Sequence, residues 1–167
     1  MELTVGSLFS GIGGIDLAFQ QAGFKLSWAI EKDAACCRTY RYNFKDTQLV
    51  ENGIRFVDPS MLSAVDVITA GFPCQPFSVA GKQRGFNDPR GHLFYEVGKF
   101  IRAYKPRFVF LENVPNLMDH NDGKTFLVVH DVLSDLNYSI RYRVLRASEY
   151  GGVPQIRDRI YIVAFRE

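Results

Sequence analysis

The sequence has few cysteines, no long apolar segment and little net charge. It contains three cysteines among 167 residues, and an odd, sparse set of this kind is a poor framework for disulfide bonds. No apolar run approaches the length of a membrane span, and the N-terminus lacks the basic and apolar segments of a signal peptide. We therefore expect a protein of the reducing cytoplasm that has no membrane partner.

The charge balance argues neither for nor against a nucleic-acid partner. The chain has 20 basic and 18 acidic residues and a net charge of +2, so the local distribution matters more than the total. Basic residues concentrate in the segments 82–92 and 141–146, where they either solvate a face or contact phosphates. The hydrophobic share of 47% is ample for a buried core, which argues against a disordered chain, and the length fits one domain.

Short apolar runs alternate with amphipathic segments along the chain. The pattern predicts strands at 4–9, 26–30, 65–70 and 107–111 and helices at 15–21, 34–42, 92–103 and 125–136. Asp33 is expected to cap the second helix, and the alternating segments 138–145 and 160–165 predict a late antiparallel hairpin. Repeated βα units indicate an α/β fold with a doubly wound, mostly parallel sheet, whose ligands bind at the carboxyl ends of the strands.

A glycine-rich turn with the sequence FSGIGG, residues 9–14, joins the first predicted strand to the first helix. Glycines allow the backbone to turn sharply and to approach a ligand closely. Glu31 ends the next strand, about 20 residues on, where a carboxylate can bind ribose hydroxyls. The third glycine of a dinucleotide fingerprint is absent near Asp16, which favours S-adenosylmethionine over a dinucleotide. Taken alone, the pattern also fits a tight turn without a ligand.

The sequence GFPCQPFS, residues 71–78, follows a predicted buried strand directly. Pro73 and Pro76 restrict the backbone around Cys74, which suits a nucleophile held in one attack geometry. The alternative is a buried, inert cysteine, because a reactive thiol needs a cation or backbone donors nearby. The loop continues to Gly91 and is long for a βα connection, as binding loops often are. The adjacent Cys36 and Cys37 are interpreted as packing residues of a helix.

Four motifs in order resemble those of the DNA (cytosine-5)-methyltransferase family of the bacterial restriction-modification type. They are residues 9–14, residues 71–78 continuing through Gly81, Glu112-Asn113-Val114, and the sequence QIRDR at 155–159. The resemblance runs from Leu8 to Phe165, nearly the whole chain. It identifies residues 1–167 as the catalytic and cofactor-binding domain of such an enzyme, and it implies the Rossmann-like fold of S-adenosylmethionine-dependent methyltransferases.

The resemblance implies a reaction at C5 of cytosine in DNA. The Cys74 thiolate would add to C6 of a base flipped out of the duplex, and C5 would then take the methyl group from S-adenosylmethionine. Loss of the C5 proton and expulsion of Cys74 would complete the transfer. Glu112 would hold or protonate N3, and Arg157 or Arg159 would donate to O2. Arg159 is preferred because it leads directly into the last strand.

The resemblance also implies binding residues. The cofactor-binding residues would be Phe9, Gly11, Gly13, Glu31, Pro73 and Leu93, and the DNA-binding residues would be Gln75, Ser78, Lys82 and Arg84. The loop 79–91 would close over the target base. The chain departs from the family at Asn52-Gly53-Ile54, where the family usually has Gly-Asp-Ile with the acid on the adenine amine. Asp58 lies in the wrong register to replace that acid, so we expect weakened cofactor binding.

Family members normally continue with a target-recognition domain and two further motifs, and these are absent from this sequence. We therefore expect either one subunit of a split enzyme, with a complementing chain that carries the recognition domain, or a truncated product. A related cytosine-C5 methyltransferase that acts on tRNA shares the same motifs and remains an alternative. A second alternative is an inactive fragment that acts only as an interaction module, although intact Cys74, Glu112, Arg157 and Arg159 argue against decay.

Overall fold

The structure is a computed structural model that describes residues 2–73, 93–120 and 122–166. Within these ranges it has seven strands, which are β1 (Thr4–Leu8), β2 (Lys25–Glu31), β3 (Gln48–Glu51), β4 (Val67–Ala70), β5 (Phe108–Asn113), β6 (Tyr138–Arg146) and β7 (Asp158–Arg166). The helices of the same ranges are α1 (Gly14–Gln21), α2 (Ala34–Asn43), α3 (Leu93–Tyr104), α4 (Lys124–Asp135) and the short α5 (Ala147–Tyr150).

All seven strands form one sheet in the order β3-β2-β1-β4-β5-β7-β6. The first five are parallel to one another, whereas β7 runs antiparallel to both β5 and β6. The prediction of a mostly parallel sheet with a late antiparallel hairpin is therefore confirmed. The chain builds outward from β1 to β3 and then returns to β4, so the strand order reverses between β1 and β4. Ligands of doubly wound sheets bind at the carboxyl edge of this point.

Two hydrophobic clusters form the core. The larger cluster contains Trp28, Phe94, Phe100 and Leu133 and packs α3 and α4 against the sheet, while the smaller one contains Tyr40 and residues of β1, β2 and β4. Gly6 in β1 is required by this packing, because a Cβ atom there would lie 2.1 Å from the Trp28 ring. The indole N–H of Trp28 donates to the carbonyl of Ser63 at 2.9 Å, so the buried ring has its polar atom satisfied.

The sequence predictions for α2 are confirmed, and one strand was missed. The Asp33 side chain accepts a hydrogen bond from the backbone N–H of Cys36 at 2.8 Å and caps α2. Cys37 is buried and Cys36 is half-buried, and burial raises the pKa of the Cys37 thiol.

The edge strand β3 was not predicted because its four residues are all exposed or half-exposed and carry no apolar run. No helix of the described ranges is long and apolar enough to cross a membrane.

Candidate active site

A cavity of about 320 Å³ opens at the carboxyl edge of the sheet. Four of the six residues predicted to bind the cofactor line it: Phe9, Glu31, Pro73 and Leu93. They follow or end different elements, since Phe9 comes after β1, Glu31 ends β2, Pro73 comes after β4 and Leu93 begins α3. The remaining lining residues are Ile30, Lys32, Asn52, Gly53, Ile54, Arg55 and Phe56. The parallel sheet thus brings residues distant in sequence to one cavity.

The other two predicted cofactor residues, Gly11 and Gly13, lie in the turn between β1 and α1. Both adopt left-handed backbone conformations, with φ values of 57° and 93°, which favour glycine. Position 13 also requires glycine for lack of space, because a Cβ atom there would lie 2.1 Å from the ring of Phe44. The turn is therefore pressed against the end of α2, and glycine at position 13 permits that contact.

The Glu31 carboxylate joins the glycine turn to the turn that follows β2. Its Oε2 atom accepts a hydrogen bond from the backbone N–H of Gly11 at 2.8 Å. Its Oε1 atom accepts from the backbone N–H groups of Lys32 at 2.8 Å and Asp33 at 2.9 Å. Each carboxylate oxygen has two lone pairs, so Oε2 can still accept a bond from a ligand hydroxyl. Glu31 is thus both a structural link and an acceptor at the cavity wall.

The segment that departs from the family pattern, residues 52–54, also lines the cavity and follows the strand β3 that pairs with β2. The Asn52 side-chain oxygen accepts a hydrogen bond from the backbone N–H of Gly53 at 2.8 Å, and the ring of Phe56 is 78% exposed. Asp58 turns away to accept a bond from the backbone N–H of Ser60 at 2.8 Å, and it is not among the lining residues. Among the described lining residues the only carboxylate is Glu31.

An ion pair joins two of the predicted catalytic residues across β5 and β7. The Nε atom of Arg159 lies 2.9 Å from Oε1 of Glu112, and the two side chains are 21% and 23% exposed. Glu112 is in register with Tyr161, so Arg159 lies two residues away on the same face of β7. The antiparallel register therefore brings the two side chains together.

The structure gives Arg157 and Arg159 different surroundings. Arg157 precedes β7 and is exposed, whereas Arg159 belongs to β7 and contacts Glu112. The carboxylate of Asp158 is engaged by Arg146, with atoms 2.7 Å apart, and a backbone carbonyl of Asp158 accepts from Arg159 at 2.7 Å. The sequence left open whether Arg157 or Arg159 acts beside Glu112, and the contact geometry favours Arg159.

The ends of β4 and β5 are tied together immediately before Cys74. The side-chain amide of Asn113 donates to the carbonyl of Phe72 at 2.9 Å, and this contact is buried. A Cβ atom built on Gly71 would lie 3.5 Å from Oε2 of Glu112, so the carboxylate lies beside the chain that leads to Cys74. Asn113 belongs to the motif Glu112-Asn113-Val114, but no separate role was predicted for it. An amide side chain two residues after the predicted apolar strand 107–111 was the available signal.

Several sequence predictions fall on residues 74–92, which lie outside the described residues. These are the nucleophile Cys74 and the DNA-binding residues Gln75, Ser78, Lys82 and Arg84. The described structure therefore constrains them only through their neighbours, Pro73 at the cavity wall and Leu93 at the start of α3. Both neighbours line the same cavity.

Comparison with known proteins identifies related sequences. The family model of C-5 cytosine-specific DNA methylases matches residues 3–167. The chain is 46% identical over 166 residues to the type II methyltransferase M.Bsp6I of Bacillus sp. (strain RFL6), covering 98% of this chain and 52% of the relative. It is 41% identical over 159 residues to the type II methyltransferase M.HhaI of Haemophilus parahaemolyticus, covering 95% of this chain and 48% of the relative.

The fold is also shared with solved structures. A mutant of Spodoptera frugiperda DNMT2 superimposes with a TM-score of 0.78 at 29% identity, covering 99% of this chain and 50% of that one. This chain spans about half the length of the curated relatives it matches.

The Glu112–Arg159 contact predicts energetic coupling that Arg157 does not share. In a double-mutant cycle of urea unfolding, Glu112→Gln and Arg159→Ala should be coupled by about 1 kcal/mol, because the pair is partly buried and in direct contact. The matched cycle with Arg157→Ala should be additive within about 0.5 kcal/mol. Stronger coupling of Glu112 to Arg157 than to Arg159 would contradict the geometric choice between the two arginines.

Proposed function

Because the chain belongs to the C-5 cytosine-specific DNA methylase family, we propose that it transfers a methyl group from S-adenosylmethionine to C5 of cytosine in DNA. The observation that carries this proposal is the Glu112–Arg159 pair, which lies beside the strand end that leads to Cys74. The cavity lined by Phe9 and Glu31 opens at the same edge of the sheet. A cofactor site and a base site are therefore expected side by side, as methyl transfer requires.

The residues of the cavity fit S-adenosylmethionine. Phe9, Ile54 and Leu93 offer apolar and aromatic surface for a purine ring, and Glu31 offers an acceptor for ribose hydroxyls. Few polar groups in a mostly apolar cavity are typical of small-molecule sites. When bound, the cofactor supplies the methyl group. Glu31 would orient the ribose, and the apolar side chains of the cavity would exclude water from the adenine ring.

We propose that Cys74 adds to C6 of a flipped cytosine to form a covalent intermediate. C5 takes the methyl group, and loss of the C5 proton then releases the thiolate. Pro73 restricts the backbone just before this cysteine, and the Asn113 amide fixes the carbonyl of Phe72. These contacts support a nucleophile whose approach is set by the ends of β4 and β5.

Glu112 and Arg159 would act together on the pyrimidine ring. The guanidinium group has five N–H donors; its Nε atom lies 2.9 Å from Oε1 of Glu112, and Nη1 donates to the carbonyl of Asp158. Donors thus remain for cytosine O2, where negative charge develops as C6 is attacked. The pair holds the Glu112 carboxyl group at the position from which we propose it contacts N3. Arg159 would also limit the cost of placing that carboxylate in a partly buried site.

DNA is the favoured substrate because the matching family model is that of C-5 cytosine-specific DNA methylases and the curated relatives are type II methyltransferases, and no observation favours tRNA or a purely structural module. Gln75, Ser78, Lys82 and Arg84 are proposed to contact the DNA, with the base flipped toward Cys74. Exposed Arg141 and Arg143 on β6 add positive charge for phosphates. A restriction-modification role and a complementing chain with a recognition domain stay predictions.

The nucleophile can be identified by covalent trapping. A duplex that contains 5-fluorocytosine should form a stable adduct with the wild-type chain and S-adenosylmethionine, because fluorine at C5 blocks the elimination that releases the thiolate. Cys74→Ser should abolish the adduct, whereas the control Cys36→Ser, at a half-buried residue of α2, should retain it. Mass spectrometry of the digested adduct checks the site. An adduct at Cys36 or Cys37 would overturn the assignment of Cys74.

Cofactor binding should respond in opposite directions at the two walls of the cavity. Glu31→Ala should weaken S-adenosylmethionine binding by about 1–3 kcal/mol, the cost of leaving hydrogen-bonding groups unpaired. Gly53→Asp should strengthen it by restoring an acceptor for the adenine amine. The backbone at Gly53 permits a side chain, with φ −70° and ψ 137°, and a Cβ atom there would lie 3.4 Å from the Phe56 ring.

Isothermal titration calorimetry measures both effects. Glu51→Ala is the matched control, because Glu51 is in register with Glu31 on the neighbouring strand but does not line the cavity. It should leave the affinity unchanged. Equal affinities of wild type and Glu31→Ala would remove Glu31 from the cofactor site, and weaker binding by Gly53→Asp would show that this wall does not face the adenine amine.

A further inference from the structure

Asp16 is a fully buried carboxyl group outside the cavity. It lies in the first turn of α1 with 0% of its surface exposed. Its Oδ2 atom accepts a hydrogen bond from the hydroxyl of Ser7 at 2.9 Å, and its Oδ1 atom accepts from the hydroxyl of Tyr40 at 3.0 Å. Burial raises the pKa of Asp16, while these two hydrogen bonds oppose the rise. We call Asp16, Ser7 and Tyr40 the Asp16 network.

A buried carboxyl group is costly unless it is hydrogen bonded, and an apolar side chain would fill a core position without that cost. What an apolar side chain would not do is bind two specific partners at fixed distances. The partners of Asp16 are informative for this reason. Ser7 belongs to β1 and Tyr40 to α2, so the network joins one strand and two helices at a single point.

Each of these elements adjoins one of two turns that contribute residues to the cavity, Phe9 after β1 and Lys32 after β2. Ser7 lies two residues before Phe9, and Asp16 lies three residues after Gly13 in the helix that follows the glycine turn. Tyr40 belongs to the helix that follows Glu31 and its turn. The Asp16 network therefore ties together, within the core, the same two turns that the bond from the Gly11 N–H to Glu31 ties together at the cavity.

Ring contacts extend the network to the glycine turn itself. The rings of Tyr40 and Phe44 have centroids 4.5 Å apart, and the Phe44 ring occupies the space beside Gly13 that a Cβ atom would need. A shift of α2 would therefore carry Phe44 against the turn. Because protein interiors are close-packed, such a shift is transmitted rather than absorbed.

We infer that Asp16 is a positioning residue for the cofactor site. Its two hydrogen bonds fix β1, α1 and α2 relative to one another and thereby set the distance between the Gly11 N–H and the Glu31 carboxylate. The inference rests on the proposed function, since it concerns the affinity of the same cavity for S-adenosylmethionine. It adds a residue that does not touch the ligand and acts through Glu31.

The test measures S-adenosylmethionine affinity of the whole chain by calorimetry, with melting temperatures recorded in parallel. Asp16→Ala should weaken binding by roughly tenfold or more, as loss of a hydrogen-bonded network that orders a site can do. Asp16→Asn should stay within about threefold of wild type, because its amide can accept from one hydroxyl and donate to the other. Tyr40→Phe, which loses one bond but keeps the ring, should lie between the two.

The chain offers a matched control at the opposite end of β1. Asp66 accepts hydrogen bonds from the backbone N–H of Thr4 at 2.9 Å and from its hydroxyl at 2.8 Å. It therefore also links two distant segments through two bonds, but at the amino edge of the sheet. Asp66→Ala should lower the melting temperature and leave the affinity unchanged. An equal loss of affinity in Asp66→Ala and Asp16→Ala would reduce the effect to general destabilisation and overturn the inference.

A double-mutant cycle separates positioning from stability. On the Glu31→Ala background, Asp16→Ala should cause little further loss of affinity, because the group that it positions is gone, whereas the two losses of stability should add. Wild-type affinity in Asp16→Ala would overturn the inference alone, and failure of wild type to bind S-adenosylmethionine would overturn the proposed function as well. If Asp16→Ala does not fold, Tyr40→Phe decides: unchanged affinity overturns the inference, and weakened affinity supports it.

Discussion

The hydrogen bond from the Gly11 backbone N–H to the Glu31 carboxylate is the contact on which the candidate site depends. It joins the turns after two neighbouring parallel strands, and these turns contribute Phe9 and Lys32 to the cavity. Glu31 uses its other oxygen to order the turn that begins α2. One carboxylate thus links the two turns beside which a nucleoside is proposed to bind. Gly11, whose N–H makes this bond, has a left-handed conformation that favours glycine.

The second half of the site depends on the direction of the last two strands. β7 enters the sheet antiparallel to β5, which places its first residues beside the carboxyl end of β5. This reversal is what allows Arg159 to reach Glu112, although they are 47 positions apart in the sequence. A parallel strand in the same place would present its last residues there instead. The hairpin therefore has a chemical consequence, because it delivers a cation to the strand end that already carries the acid.

The strands and helices with strong apolar periodicity could be predicted from the sequence. The edge strand and the contacts between side chains of different elements could not. β3 is a short edge strand whose residues are partly exposed, so no apolar pattern marked it. Phe9, Glu31 and Pro73 could be predicted because they lie at or just after strand ends, whereas Leu93, the first residue of α3, came only from the resemblance. The choice between Arg157 and Arg159 stayed open because alternation places both on one side of an extended segment, whereas only the register with β5 tells which one meets Glu112. The hydrogen bonds of Asp16 to Ser7 and Tyr40 were not predicted because these partners come from elements whose packing no local pattern specifies.

The most direct test of the account is a crystal structure of this chain with S-adenosylhomocysteine, which has the nucleoside and amino-acid parts of the cofactor. The account predicts that the ribose hydroxyls lie within hydrogen-bonding distance of Glu31 and that the adenine ring lies among Phe9, Ile54 and Leu93. It also predicts that the Gly11–Glu31 and Glu112–Arg159 contacts persist. A nucleoside bound elsewhere, or bound in this cavity with Glu31 turned away from it, would contradict the account.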